Sequence, residues 1–257
     1  MSAGAYNKQM LFQQCDFHIH SYLSPCAHDE MQLPAILDIC AQRGIKYLGI
    51  NDHIFEYTNP EILDITREHI MSIDKPMQTF VGCEAEILDV GVHTVTENMK
   101  ATLDYISVSA NHFHRKAVAS PESNSNPNVA KHFLKMFSYA CTLDFVDVIV
   151  HPMYVMPGTY NPAALELLTN EELMEPLTQA KQNNVAMEIS LRVLKPQNAP
   201  FLMRFYSLCK EVGIKFSFGS DAHWLENAGQ TQKLNSIVDK LGITDADVWL
   251  PKSAKKG

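Results

Sequence analysis

Several large protein classes are excluded by what this chain lacks. No apolar run in its 257 residues reaches the roughly 18 needed to cross a bilayer, so no membrane partner is expected. Its start, MSAGAYNKQMLFQQ, has no basic stretch leading into an apolar one, so no secretory signal is expected. Lysine and arginine form no long block and the formal charge is -8, which disfavours a nucleic-acid binder that needs a basic face. The short basic tail, 252–257, reads as a frayed terminus. None of Cys15, Cys26, Cys40, Cys83, Cys141 and Cys209 is paired as Cys-x-x-Cys, and a chain this long needs no disulfide staples. Reduced thiols in a cytoplasmic protein are expected. No repeat, low-complexity tract or linker is visible, so 1–257 is expected to be a single domain. No Gly-x-Gly-x-x-Gly follows the first apolar run, which disfavours a dinucleotide-binding sheet.

What the chain has is apolar residues in a regular order. They make up 46% of it, enough for a sizeable core, which excludes intrinsic disorder. Short β-rich runs fall at 15–19, 47–50, 80–87, 105–109, 146–150, 185–189 and 216–218. Helical patterns lie between most of them. Ile36, Leu37, Ile39 and Cys40 share three/four spacing before Gly44, and Val129, Phe133, Met136, Phe137 and Ala140 share one face after Asn126-Pro127. Further helices are expected at 60–74, 162–183, 200–212 and 227–241, the last two stopped by Gly213 and Gly242. Strands alternating with helices predict an α/β fold, a barrel of about seven parallel strands.

The polar residues sit at the ends of those runs. The first ends in Asp16, His18 and His20, the second in Asn51-Asp52-His53, and the third contains Glu84 and Glu86. The fourth ends in Asn111, His112 and His114, and the fifth in His151-Pro152. The sixth contains Glu188, and the seventh ends in Asp221 and His223. In such barrels the C-terminal strand ends form one rim and carry the active site. One histidine after a strand is ordinarily a satisfied core or surface residue. Nearly every strand ending this way is a pattern, and it points to metal chemistry. His-x-His in a strand puts both imidazoles on one face, as does Asp-x-His. Imidazole mixed with carboxylate suits zinc, iron or manganese. His69 and His132 fall within helical patterns and His93 in a turn, so they are left outside the site. His114 stands as an alternative to His112.

In order, Asp16-Phe-His18-Ile-His20-Ser21, His28, Asn51-Asp52-His53, Gly82-Cys-Glu84, His112, His151-Pro152 and Gly219-Ser-Asp221-Ala-His223 resemble the polymerase and histidinol phosphatase (PHP) superfamily. Asn51 departs from the common Thr of Thr-Asp-His. The resemblance implies a distorted (β/α)7, TIM-like barrel holding three divalent metal ions. His18, His20 and Asp221 would hold one ion, and Glu84 would bridge it to a second held by His112 and His151. His28, His53 and His223 would hold the third, with Asp29 or Glu30 as alternatives to His28. Asp16 and Asp52 would fix imidazole tautomers, and Glu188 would pack or hydrogen-bond behind the ligands. No polymerase-like segment accompanies these motifs, so a standalone enzyme is expected.

The chemistry implied is hydrolysis of a small phosphomonoester, a small phosphorylated substrate such as histidinol phosphate. Ions sharing Glu84 would lower the pKa of a bridging water, and the hydroxide would attack phosphorus, with Glu84, Asp221 and His223 as the catalytic group. Arg192 and Arg115, just past the sixth and fourth runs, are the candidate phosphate binders. Two rivals stand beside this reading. One is an amide or lactone hydrolase, disfavoured because no lysine sits at a strand end to serve as a carbamylated bridge. The other is a non-catalytic metal-stabilised binding module, disfavoured by the full set of ligand types.

Overall fold

A computed structural model describes residues 9–255. Its strands and helices alternate as the apolar pattern requires. The first half contains β1 (Cys15–Ile19), α1 (Leu33–Gln42), β2 (Tyr47–Ile50), β3 (His53–Ile54), α2 (Glu61–Ser72), β4 (Gln78–Val81) and β5 (Glu84–Asp89). Then come β6 (Val92–His93), α3 (Glu97–Thr102), β7 (Ser107–Ser109), α4 (Asn126–Thr142) and β8 (Val148–Ile149). The last part contains α5 (Asn170–Gln182), β9 (Ala186–Ser190), α6 (Ala199–Val212), β10 (Phe216–Gly219) and α7 (Asn235–Leu241).

The sheet is parallel except at β6, which pairs antiparallel with β5. One part runs β1-β2-β4, the other β10-β9-β8-β7-β5-β3. The breaks between β2 and β3 and between β4 and β5 lie side by side. Across them Gly82 donates to Ile50 O at 2.9 Å and Glu84 donates to Asp52 O at 3.0 Å, so the two parts continue one another. The seven expected runs therefore follow one another as a TIM-like α/β ring. It does not close as one unbroken ladder. Between the outer edges, β1 and β10, the described residues form an isolated bridge just past the end of β10, Ile19 with Ala222.

Close packing explains one of these breaks. The Tyr105 ring lies buried inside the ring of strands and its hydroxyl donates to Phe17 O at 2.7 Å. A Cβ at Gly49 or Gly82 would overlap that ring. The apolar run at 80–87 accordingly bends at Gly82 and becomes two strands. Trp249 packs edge-on against Phe17 and Tyr105 with centroids 5.3 and 5.5 Å away, filling the end opposite the rim.

Helix ends follow local chemistry. α6 and α7 stop at Gly213 and Gly242, both left-handed at φ 80° and 61°. The pattern at 162–183 is not one helix. Thr169 and Glu172 form a capping box that restarts the chain at α5, after a short 3-10 turn over Pro162–Leu167. The region 227–241 likewise yields only a 3-10 turn and α7. The tail is not frayed as far as it is described. Lys255 exchanges bonds with the Gln78 side chain at 2.6 and 2.8 Å. Residues 1–8 of the proposed leaderless start, and 256–257, lie outside the described residues. Among the described residues no helix is long and apolar enough to cross a membrane, and all six cysteines are free thiols.

Candidate metal centre

The parallel register brings the strand ends to one level. His53 pairs with Glu84, and Glu84 with Ser107 on the next strand. His18 O accepts from Asp221 N at 2.8 Å, which ties the first strand end to the last. Glu84 becomes the centre of the arrangement. Its Oε2 lies 3.1 Å from His18 Nε2, 3.4 Å from His20 Nε2 and 3.2 Å from His53 Nδ1. Its Oε1 lies 2.9 Å from His151 Nε2 and 3.5 Å from His112 Nε2. Asp221 Oδ1 stands 3.7, 3.6 and 3.5 Å from His18 Nε2, His20 Nε2 and His223 Nδ1.

Four overlapping sets have their donor atoms mutually within 4.8 Å: His18, His20 and Asp221; His18, Glu84 and His151; His53, Glu86 and His112; His20, His53 and His223. Divalent cations fit them. Asp221 Oδ1, His53 Nδ1 and Glu86 Oε2 are buried with no hydrogen-bond partner among the described residues, a costly arrangement unless something else coordinates them. His151 and Asp221 also hold left-handed backbone, φ 31° and 54°, which costs energy and concentrates at functional sites.

Ionised carboxylates and two neutral imidazoles among the donors suit ligation. Burial alone would push Glu84 and Asp221 up. The groups around them, the His53 and His18 imidazoles for Glu84 and the Arg192 guanidinium with His18 for Asp221, instead hold both well below the ordinary carboxylate range. Burial pushes His20 down to about 4 and His53 well below the ordinary histidine value, keeping both neutral, the ligand form. Burial opposes a proton on His18, but Glu188, Asp221 and Glu84 prevail and raise it. Glu86 does the same for His112.

Behind the donors lies a layer of buried acceptors. Glu188 Oε1 meets His18 Nδ1 at 2.6 Å, Glu86 Oε1 meets His112 Nδ1 at 2.8 Å, and Asn111 Oδ1 meets His151 Nδ1 at 3.0 Å. A cavity of about 290 Å³ opens above, between His53, His112, His223, Arg192, Arg115 and the apolar Phe55 and Met156.

No family model matches the chain. Probable phosphatases of Clostridium novyi and Clostridium acetobutylicum are 23% identical over 241 residues and 24% over 249. Each alignment covers 89% of this chain and 86% of the relative. A histidinol phosphate phosphatase from Lactococcus lactis, solved with zinc, L-histidinol and phosphate, superposes with a TM-score of 0.63 at 14% identity. That match covers 93% of this chain and 99% of the other. The fold is that of this histidinol phosphate phosphatase.

Within this fold, eight of the nine expected ligands converge: His18, His20, His53, Glu84, His112, His151, Asp221 and His223. His28 does not. Its imidazole is about half exposed, stacks on Trp224 at 4.0 Å and stands 3.9 Å from Glu30, although its backbone N–H bonds to His223 O at 2.9 Å. Its alternatives Asp29 and Glu30 are exposed too. His112, not His114, reaches Glu84. Asp16 holds no imidazole. It accepts backbone N–H groups of Ser220 at 2.9 Å and Gly229 at 2.7 Å, because the loop after β10 folds over it. Asp52 acts at one remove: it accepts from Ser24 at 2.8 Å, and Ser24 meets His20 Nδ1 at 3.3 Å. Arg192 lines the cavity and ion-pairs with Asp221. Arg115 pairs with Glu56 at 2.7 Å, its guanidinium 3.5 Å above the Phe55 ring. His132 and His69 stay outside: His132 bonds to Ala119 O at 2.8 Å and His69 is exposed on α2. Glu86, Asn111 and Ser24 had no assigned role in the sequence. Glu86 carried a signal in its i+2 spacing from Glu84 on one strand face, and Asn111 in its place at a strand end beside His112.

Proposed function

We propose that this chain is a metal-dependent phosphoesterase that hydrolyses a small phosphomonoester at a multinuclear centre of two or three divalent ions. One observation carries the reading. Glu84 is a single buried carboxylate whose two oxygens face two different sets of imidazoles, His18, His20 and His53 on one side and His112 and His151 on the other. That is how a carboxylate bridges two cations. The zinc and phosphate of the Lactococcus structure and the names of the clostridial relatives support the same chemistry.

Ions bound there would supply water activation and charge neutralisation near neutral pH. The chain's own residues do the rest. His18, His20 and Asp221 form one donor set, Glu84 and His151 extend it, and His53 with His223 supplies donors on the cavity side. Arg192 stands between Asp221 and the cavity, where its planar fork suits phosphate oxygens. Arg115, at the mouth, pairs with Glu56 as Arg192 pairs with Asp221, and both guanidinium groups line the cavity.

The test is a panel of phosphorylated metabolites, with amides and lactones alongside, offered to protein loaded with zinc, manganese or iron. Turnover of phosphomonoesters that a chelator abolishes is expected. Turnover confined to amides or lactones would replace the reading.

A further inference from the structure

Five imidazoles surround Glu84, and two of them are backed by a buried carboxylate. His18 is backed by Glu188 and His112 by Glu86, at 2.6 and 2.8 Å from Nδ1. The two pairs fall on opposite sides of the centre. His18 Nε2 faces Glu84 Oε2 at 3.1 Å, and His112 Nε2 faces Oε1 at 3.5 Å. The other three are backed differently. Nδ1 of His20 meets a hydroxyl, Nδ1 of His151 meets an amide oxygen, and His53 turns Nδ1 itself toward Glu84.

We propose that Glu86 and Glu188 are a matched pair of positioning residues, each strengthening one histidine donor on its own side of Glu84. The proposal rests on the metal-centre reading above. A carboxylate on Nδ1 keeps the proton there, turns the Nε2 lone pair to the ion and raises the basicity of the ring. Each side of the centre thereby has one strong, oriented donor. Glu86 reaches this place because it lies two residues from Glu84, on the same face of β5. Both carboxylates are almost fully buried. Packing gives no reason for an acid at Glu86, whose Oε2 has no hydrogen-bond partner among the described residues.

The pair is not symmetric. Glu188 Oε2 also accepts the backbone N–H of His151 at 2.7 Å, and His151 holds the left-handed φ of 31°. Glu188 therefore supports His18 on one side and His151 on the other, whereas Glu86 supports His112 alone. Losing Glu86 should loosen one ion, and losing Glu188 should loosen two.

The experiment strips wild type, Glu86→Gln and Glu188→Gln of metal, reloads them with zinc, and titrates each with a competing chelator. In Glu86→Gln the affinity for one zinc should fall about 10- to 100-fold while the others match wild type. In Glu188→Gln at least two should weaken. Thermal midpoints of the metal-free forms are measured alongside. A Glu86→Gln protein that melts lower without metal yet holds zinc as wild type does would make Glu86 a packing residue and overturn the proposal. Complete loss of one zinc would overturn it too, making Glu86 a direct ligand with His53 and His112. If Glu188→Gln fails to fold, the Glu86→Gln titration decides alone. Full zinc in wild type and variants alike sinks this inference only, whereas a wild type that binds no zinc sinks the metal-centre reading and this inference with it.

Discussion

At the scale of single residues, histidines and carboxylates at strand ends were readable because a parallel sheet sends all its C-terminal ends to one rim. What sits behind them was not. Asp16 and Asp52 neighbour ligands in sequence, but nearby backbone N–H groups and serines take up their oxygens before any imidazole does. Glu188, expected to pack or hydrogen-bond behind the ligands, holds the His18 ring and Asn111 holds that of His151, but which imidazole each would meet is a long-range pairing that nothing local announces. His28 illustrates the same limit, since a loop imidazole can turn to a neighbouring Trp224 face. Arg192 is the residue on which substrate binding is staked. Replacing it with alanine removes a charge-assisted contact to phosphate, a loss of about 1.5–3 kcal/mol. The Michaelis constant should rise roughly ten- to a hundredfold, with metal content kept. Steady-state kinetics on a cleaved phosphomonoester checks this. An unchanged Michaelis constant and turnover number would move the role to Arg115.

At the scale of elements, long apolar patterns were legible and short ones were not. β6 has two residues and α3 has six, too few to show a period. The split of 162–183 was written locally, in Thr169 and Glu172, but the apolar pattern outweighed it. The bend at Gly82 depends on Tyr105, a partner that sequence spacing does not reveal. The end of β10 gives a test. A Cβ on Gly219 would lie 2.5 Å from His18 Cβ and 2.6 Å from Glu188 Oε1, so any side chain there drives into the centre. Gly219→Ala should cost about 1–3 kcal/mol by overpacking and should weaken zinc retention. Urea denaturation of the metal-free protein and chelator titration measure the two effects. Wild-type values for both would mean that His18 and Glu188 are not held as tightly as their contacts imply.

At the scale of the whole molecule, the order of strands and helices was enough to give the parallel α/β ring, whereas its incomplete closure between β1 and β10 was not legible. Gathering so many titratable groups makes stability depend on pH and metal. His20 is held at about 4 in the fold against an ordinary value of 6.5. Between those values the unfolded chain takes up a proton that the native state refuses, so metal-free protein should lose stability as pH falls from about 6.5 to about 4. His18 acts in the opposite sense: its stabilising contribution is complete below the ordinary value and fades as pH rises through its raised one. Glu84 and Asp221, held low, lose theirs only in stronger acid. Thermal midpoints of chelator-treated protein from pH 7 to 4 should therefore fall, and zinc should raise them at neutral pH because it binds only the folded state. Asp16, raised to about 6, opposes this trend and His53, held low, adds to it, so a midpoint that stays level would deny that burial keeps both His20 and His53 neutral. The most direct measurement is metal content. Elemental analysis of gently purified protein should find two to three divalent transition ions per chain, with a clear loss in Glu84→Gln; less than one ion per chain in the wild type would contradict the multinuclear centre.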